Sequence, residues 1–97
     1  MEVRLHPAAR QELVDAASWY AAQAGQRVAQ DFVKEYDEAQ LRAVENPLIG
    51  AASPAQTRKL HFRRFPFALV YRVVADRLFV VAIAHQRRRP GYWRNRA

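Results

Sequence analysis

Polar and apolar residues alternate from Glu2 to His6, with Val3 and Leu5 on one side, and this period of two predicts a short edge strand. The period then lengthens. Ala9, Leu13, Ala16, Ala17, Tyr20 and Ala24 recur at spacings that keep them on one face of a helix, entered through His6-Pro7 and stopped by Gly25. Proline suits the first helical position, where its missing N–H is no loss, and Glu12 and Asp15 fall in the early turns that the helix dipole favours. Trp19 and Val14 flank this stripe, about 110° to either side. A second helix is predicted from Gln26 to the break at Asn46-Pro47, with Val28, Phe32, Tyr36, Ala39 and Ala43 as its core stripe. Leu41 points away from that stripe, and Val33 and Val44 lie on one flank. The hairpin therefore carries an apolar outer fringe, which is either ordinary exposed surface or a groove for a partner.

The second half returns to the shorter period. Leu48 to Thr57, with Gly50, Ser53 and Pro54, reads as a surface loop. Arg58 to Phe62 alternates, Leu60 and Phe62 inward and Lys59 and His61 outward, and Arg63-Arg64-Phe65-Pro66-Phe67 connects it to the next strand. Ala68 to Val74 and Leu78 to His85 are nearly continuous apolar runs joined through Ala75-Asp76-Arg77, the signature of a hairpin of well-buried strands. Arg72, set among Leu69, Val70, Tyr71 and Val73, has to reach an edge or find a partner, because an unpaired buried charge is costly. Beyond His85, Pro90-Gly91 should turn the chain so that Tyr92 and Trp93 fold back over the sheet end, leaving Arg94 and Arg96 solvated.

Charge divides these elements unevenly. Residues 51–97 hold eleven Lys/Arg against one acid, Asp76, for a net +10, whereas residues 1–50 hold five basic and eight acidic side chains, a net −3. The whole-chain +7 thus conceals a basic second half, which directs the search for an acidic or polyanionic partner there. Fourteen of the sixteen basic residues are arginine, suited to bidentate contacts and stacking. At 97 residues the chain is expected to be one domain, 1–97, too small for a large enclosed cofactor site, and no cofactor is expected. It has no cysteine, and His6, His61 and His85 are too far apart to suggest a metal motif. No apolar run approaches a bilayer span and no signal pattern opens the chain, so the expected location is cytoplasmic, with no membrane partner.

No nucleophile elbow, phosphate-binding glycine loop, zinc motif or EF-hand loop is present. A metal-free ribonuclease needs less, because RNA carries its own 2′-hydroxyl nucleophile and requires only an acid, a base and cations beside the phosphorus. His61, His85 and Tyr92 are the proton-transfer candidates, with Arg63, Arg64 or Arg87 as charge stabilisers. The plainer reading has His61 facing solvent, His85 closing the last strand and Tyr92 packing. Arg87, Arg88 and Arg89, followed by Tyr92 and Trp93, either contact a target or are simply solvated.

The order of elements, with Asn46-Pro47 closing the second helix, F-P-F-A-L-V-Y-R-V at 65–73 and A-I-A-H-Q-R-R-R-P-G-Y-W at 82–93, resembles the RelE/ParE superfamily of bacterial type II toxins. The resemblance covers nearly the whole chain. It implies an α+β fold, an N-terminal strand and helical hairpin packed on a twisted antiparallel sheet of three to four strands, and it implies a cognate antitoxin as partner. RelE-like members cleave messenger RNA on the ribosome, while ParE-like members block DNA gyrase. RelE-like nucleases carry an arginine directly before the L-V-Y of the central strand, where this chain has Ala68. The His85-Gln86 pair is more like ParE, although Arg87 and Tyr92 lie about where the nucleases carry another arginine and a tyrosine. The expectation is therefore a ParE-like gyrase inhibitor contacting its target through Arg63, Arg64, His85, Arg87, Arg88, Arg89, Tyr92 and Trp93. The alternative is a ribosome-dependent nuclease using Arg87, Tyr92, His85 and Arg63, and a third reading is a basic nucleic-acid-binding module. Trp19, Val33 and Leu41 are the expected apolar anchors for the antitoxin.

Overall fold

A computed structural model describes residues 1–96. Strand β1 (Glu2–Leu5) leads into helix α1 (Pro7–Ala24) and helix α2 (Gln26–Glu45), followed by β2 (Ala51–Ser53), β3 (Thr57–His61), β4 (Phe67–Val74) and β5 (Arg77–His85). The two helices pack on one face of a five-stranded sheet of order β1-β5-β4-β3-β2. The α+β architecture matches expectation, and the sheet differs from it in two respects. β1 pairs in parallel with β5, Glu2 opposite Arg77 through Leu5 opposite Val80, so the sheet is mixed. In addition, the segment expected to be a plain loop contributes β2, paired antiparallel to β3 from Ala51–Lys59 to Ser53–Thr57. Three residues with small side chains carry no legible alternation, which is why this strand is visible only through its partner.

The helix boundaries follow local chemistry. His6 caps α1, its Nδ1 accepting from Ala8 N–H at 3.0 Å, while its own N–H donates to Val80 C=O at 2.9 Å, so one residue ends the strand and starts the helix. Gly25 alone links the two helices with φ 97°, a conformation that a side chain resists. Ala9 and Ala16 of α1 and Phe32, Tyr36, Ala39 and Ala43 of α2 are buried as the stripes predict. The stripes err at their margins: Ala24 is exposed, whereas Ala29 is buried and Val44 packs against the core.

Alternation along the strands divides the sheet between two cores. Leu60, Leu69, Tyr71, Leu78, Val80 and Ile83 meet the helices through an aromatic cluster in which Phe32 lies 5.1–5.6 Å from Phe62, Phe65 and Phe67. On the other face, Val70, Val81, Ala82 and Ala84 are covered by Trp93, which is 1% exposed. A register shift between Val70 and Tyr71 accommodates both faces.

Candidate functional site

The β3–β4 connection and the segment after β5 meet at one end of the sheet. Phe67 pairs with His85, and Gln86 N–H donates to Pro66 C=O at 2.9 Å, which brings the segment carrying Arg63 and Arg64 to the same end of the sheet as Arg87, Arg88 and Arg89. All five arginines are exposed, forming a basic rim. The arm carrying Arg63 and Arg64 is fixed by α2, since Glu35 Oε1 accepts from the backbone N–H of Arg64 at 2.9 Å and of Phe65 at 3.3 Å. Arg64 also pairs with Asp31 at 3.0 Å and lies 5.1 Å from the Phe65 ring, so its guanidinium is engaged within the fold. On the other arm His85 Nδ1 accepts from Arg87 N–H at 3.0 Å, and its ring meets the edge of Phe67 at 4.9 Å. His61 is exposed on β3, as the plainer sequence reading has it.

Two expected target contacts are redirected inward. Trp93 is buried against the helix-free face of the sheet, its indole N–H directed at Pro54 C=O at 3.4 Å and Lys59 Nζ 5.2 Å from its ring, so it presents no surface to a target. Tyr92 is half-buried, and its hydroxyl donates to Glu12 Oε2 at 2.8 Å. Burial, then the hydrogen bond and charge of Glu12, push the phenol well above its ordinary value, so it holds its proton firmly. Arg88 stacks over the same ring at 4.0 Å.

The residue that organises this end is one that sequence reasoning assigned only to the helix dipole. Glu12 accepts from Ile83 N–H at 3.0 Å, from Tyr92, and from both terminal nitrogens of Arg96 at 2.9 Å. Arg96, expected in solvent, is instead 17% exposed and also donates to Val81 C=O at 3.0 Å. Because β1 ends at Leu5, it leaves the outer edge of β5 from Val81 onward without a strand, and Glu12 and Arg96 satisfy backbone groups there. The only sequence signal for this was an acid near an apolar stripe, which is common on any helix.

A cleft of about 430 Å³ opens between α1 and this sheet end, lined by Glu12, Trp19, Tyr20, Phe67, His85 and Arg88 among others. Trp19 is 58% exposed at its margin. Val33 lines a separate depression with Ala17, Ala21 and Ala29, and Leu41, 58% exposed, lines neither. The three residues expected to anchor an antitoxin thus occupy different parts of the hairpin. Among the described residues no group of His, Cys, Asp or Glu is disposed to hold a metal ion, and no helix is long and apolar enough to cross a membrane.

Fold and rim together define a small basic α+β protein with five exposed arginines where two loops meet. The family described as ParE toxin of type II toxin-antitoxin system, parDE, matches residues 3–90, and the chain belongs to it. A solved structure described as the chromosomal ParDE toxin-antitoxin system from P. aeruginosa superposes with a TM-score of 0.71 at 22% identity, covering 88% of this chain and 95% of that one, and shares the fold. No curated protein is similar enough to match.

Proposed function

We propose that this toxin arrests growth by binding and inhibiting DNA gyrase without chemistry of its own, and that a cognate antitoxin restrains it. The observation that carries the reading is Ala68, which is 3% exposed between His61 and Ala84 in the sheet, where RelE-like nucleases place a cation. A buried methyl group there cannot steady the charge of a cleaving phosphodiester. Tyr92 adds support, since its proton is committed to Glu12 and its pKa is raised, which disfavours an acid-base role near neutral pH. Arg63, Arg87, Arg88 and Arg89 remain as an exposed cationic surface for the target. The antitoxin reading rests on family membership and on the apolar margin of the helical hairpin.

Supercoiling by purified gyrase tests the proposal. Inhibition, or accumulation of cleaved DNA, at molar excess of toxin is expected, and its loss on combined Arg87→Ala and Arg89→Ala substitution would place the rim at the contact. Full gyrase activity at high toxin excess, with transcripts cut in a translating extract, would transfer the toxin to the ribosome-dependent nucleases.

A further inference from the structure

At the far end of the β4–β5 ladder from the basic rim, the helix-free face of the sheet holds a second cluster of charge. Arg4 of β1 stands opposite Phe79 of β5, and Phe79 stands opposite Arg72 of β4, so two guanidinium groups flank one aromatic ring in a row across three strands. Trp93 covers the neighbouring stretch of this face and leaves Phe79 partly exposed at its margin. The row floors a basin of about 620 Å³, walled by Val74, Ala75, Asp76 and Arg77 and bounded by Glu2. That volume is in the range of sites for small organic ligands.

The charges in the basin are unequally satisfied. Glu2 pairs with Arg77 at 3.1 Å and Arg4 at 3.4 Å, and both arginines remain largely exposed with donors to spare. Arg72 differs, because its Nε is buried and has no hydrogen-bond partner among the described residues. A buried guanidinium N–H without an acceptor is unfavourable; it lies below the reach of solvent, so an anion seated in the basin would meet Arg72 through its terminal nitrogens and offset the cost of holding that charge at the sheet surface. Three arginines can share the three oxygens of a phosphate, while the partly exposed ring of Phe79 offers an apolar edge beside it. Asp76 and Glu2 at the border supply acceptors for hydroxyl or exocyclic amino groups.

From this arrangement we infer that the basin binds a nucleoside phosphate, the phosphate on Arg72 with Arg4 and Arg77 and the base against Phe79. The ligand is a free mononucleotide or one unit of a single strand. The inference is independent of the gyrase reading, since it uses none of the rim residues.

Calorimetric titration with adenosine monophosphate, and fluorescence anisotropy with a labelled short oligothymidylate, separate the two sources. Binding in either arm is expected, with the oligonucleotide favoured if the unit belongs to a strand. Arg72→Gln and Arg4→Gln should each weaken it about fivefold or more, while Arg89→Gln on the rim leaves mononucleotide binding within about twofold. Phe79→Leu, verified as folded by its melting transition, should bring nucleotide affinity down to that of inorganic phosphate. The inference fails if neither ligand binds, if Arg72→Gln binds as wild type does, if inorganic phosphate binds the wild-type protein as tightly as the nucleotide, or if a polyglutamate peptide outcompetes both.

Discussion

Removing the carboxylate of Glu12 would take the acceptor from the N–H of Ile83 and the hydroxyl of Tyr92 and leave the guanidinium of Arg96 with only Val81 C=O. Breaking one side of a largely buried ion pair costs more than the pair contributes, because the remaining charge loses its compensation. Glu12→Ala should therefore lower the unfolding free energy by about 2–4 kcal/mol in urea titration, and Arg96→Met by less, since Glu12 would keep its other two donors. Equal melting of Glu12→Ala and wild type would show that the C-terminal turn holds itself. A second residue-scale prediction concerns alkaline pH. Burial, reinforced by the charge of Asp37, pushes Tyr36 from 10.0 up to about 12. The folded state then holds the phenol proton more tightly than the unfolded chain does. Its contribution is intact below pH 10 and is lost as pH rises from about 10 to about 12, at about 1.4 kcal/mol per pH unit. Melting temperature should fall across that window and fall less steeply in Tyr36→Phe. Some decline will persist in the variant because Tyr92 is shifted in the same direction.

Connections between elements depend on two small residues. Gly50 N–H donates to the Tyr71 hydroxyl at 3.0 Å, and that hydroxyl donates to Pro47 C=O at 2.7 Å, anchoring the chain between α2 and β2 to the sheet core. A Cβ at Gly50 would stand 2.9 Å from the same hydroxyl and 3.0 Å from Arg58 Cβ, both held in place by packing. Gly50→Ala should therefore destabilise by about 1–3 kcal/mol. The hairpin tip offers the opposite case. Ala75 has φ 55° in the β4–β5 turn, where a side chain is disfavoured, so Ala75→Gly should raise stability by about 0.5–1 kcal/mol. Chemical denaturation of the two variants side by side gives both signs in one experiment, and a destabilising Ala75→Gly would contradict the strain argument. Both helices and β3 to β5 were legible in the sequence because backbone period and breaker residues define them locally. β2 was not, because its placement comes from pairing with β3 rather than from any pattern of its own.

For the whole molecule, the question is how charge and apolar surface are distributed around the fold. Five exposed arginines stand at the end of the sheet where Gln86 meets Pro66, Arg4 and Arg77 stand at the opposite end, and the apolar residues expected to anchor an antitoxin lie apart on the hairpin. If the antitoxin enters the cleft beside α1, Trp19→Asp should weaken the complex about tenfold or more and Leu41→Asp should have little effect, as read by competition binding. The reverse order would move the docking face to the outer side of α2. Local sequence was sufficient for the helices, the paired apolar strands, the imbalance between an acidic first half and a basic second, and the family resemblance, since each depends on neighbouring residues or on the order of elements. Only the tertiary structure could decide that Arg96 returns to Glu12, that Trp93 is a core residue rather than a target contact, that β1 runs parallel to β5, and that Arg72 finds no partner for its Nε among the described residues. Those outcomes join residues distant in the chain, and periodicity along a sequence carries no information about which of many arginines will meet a given carboxylate. Shape and packing select the pair.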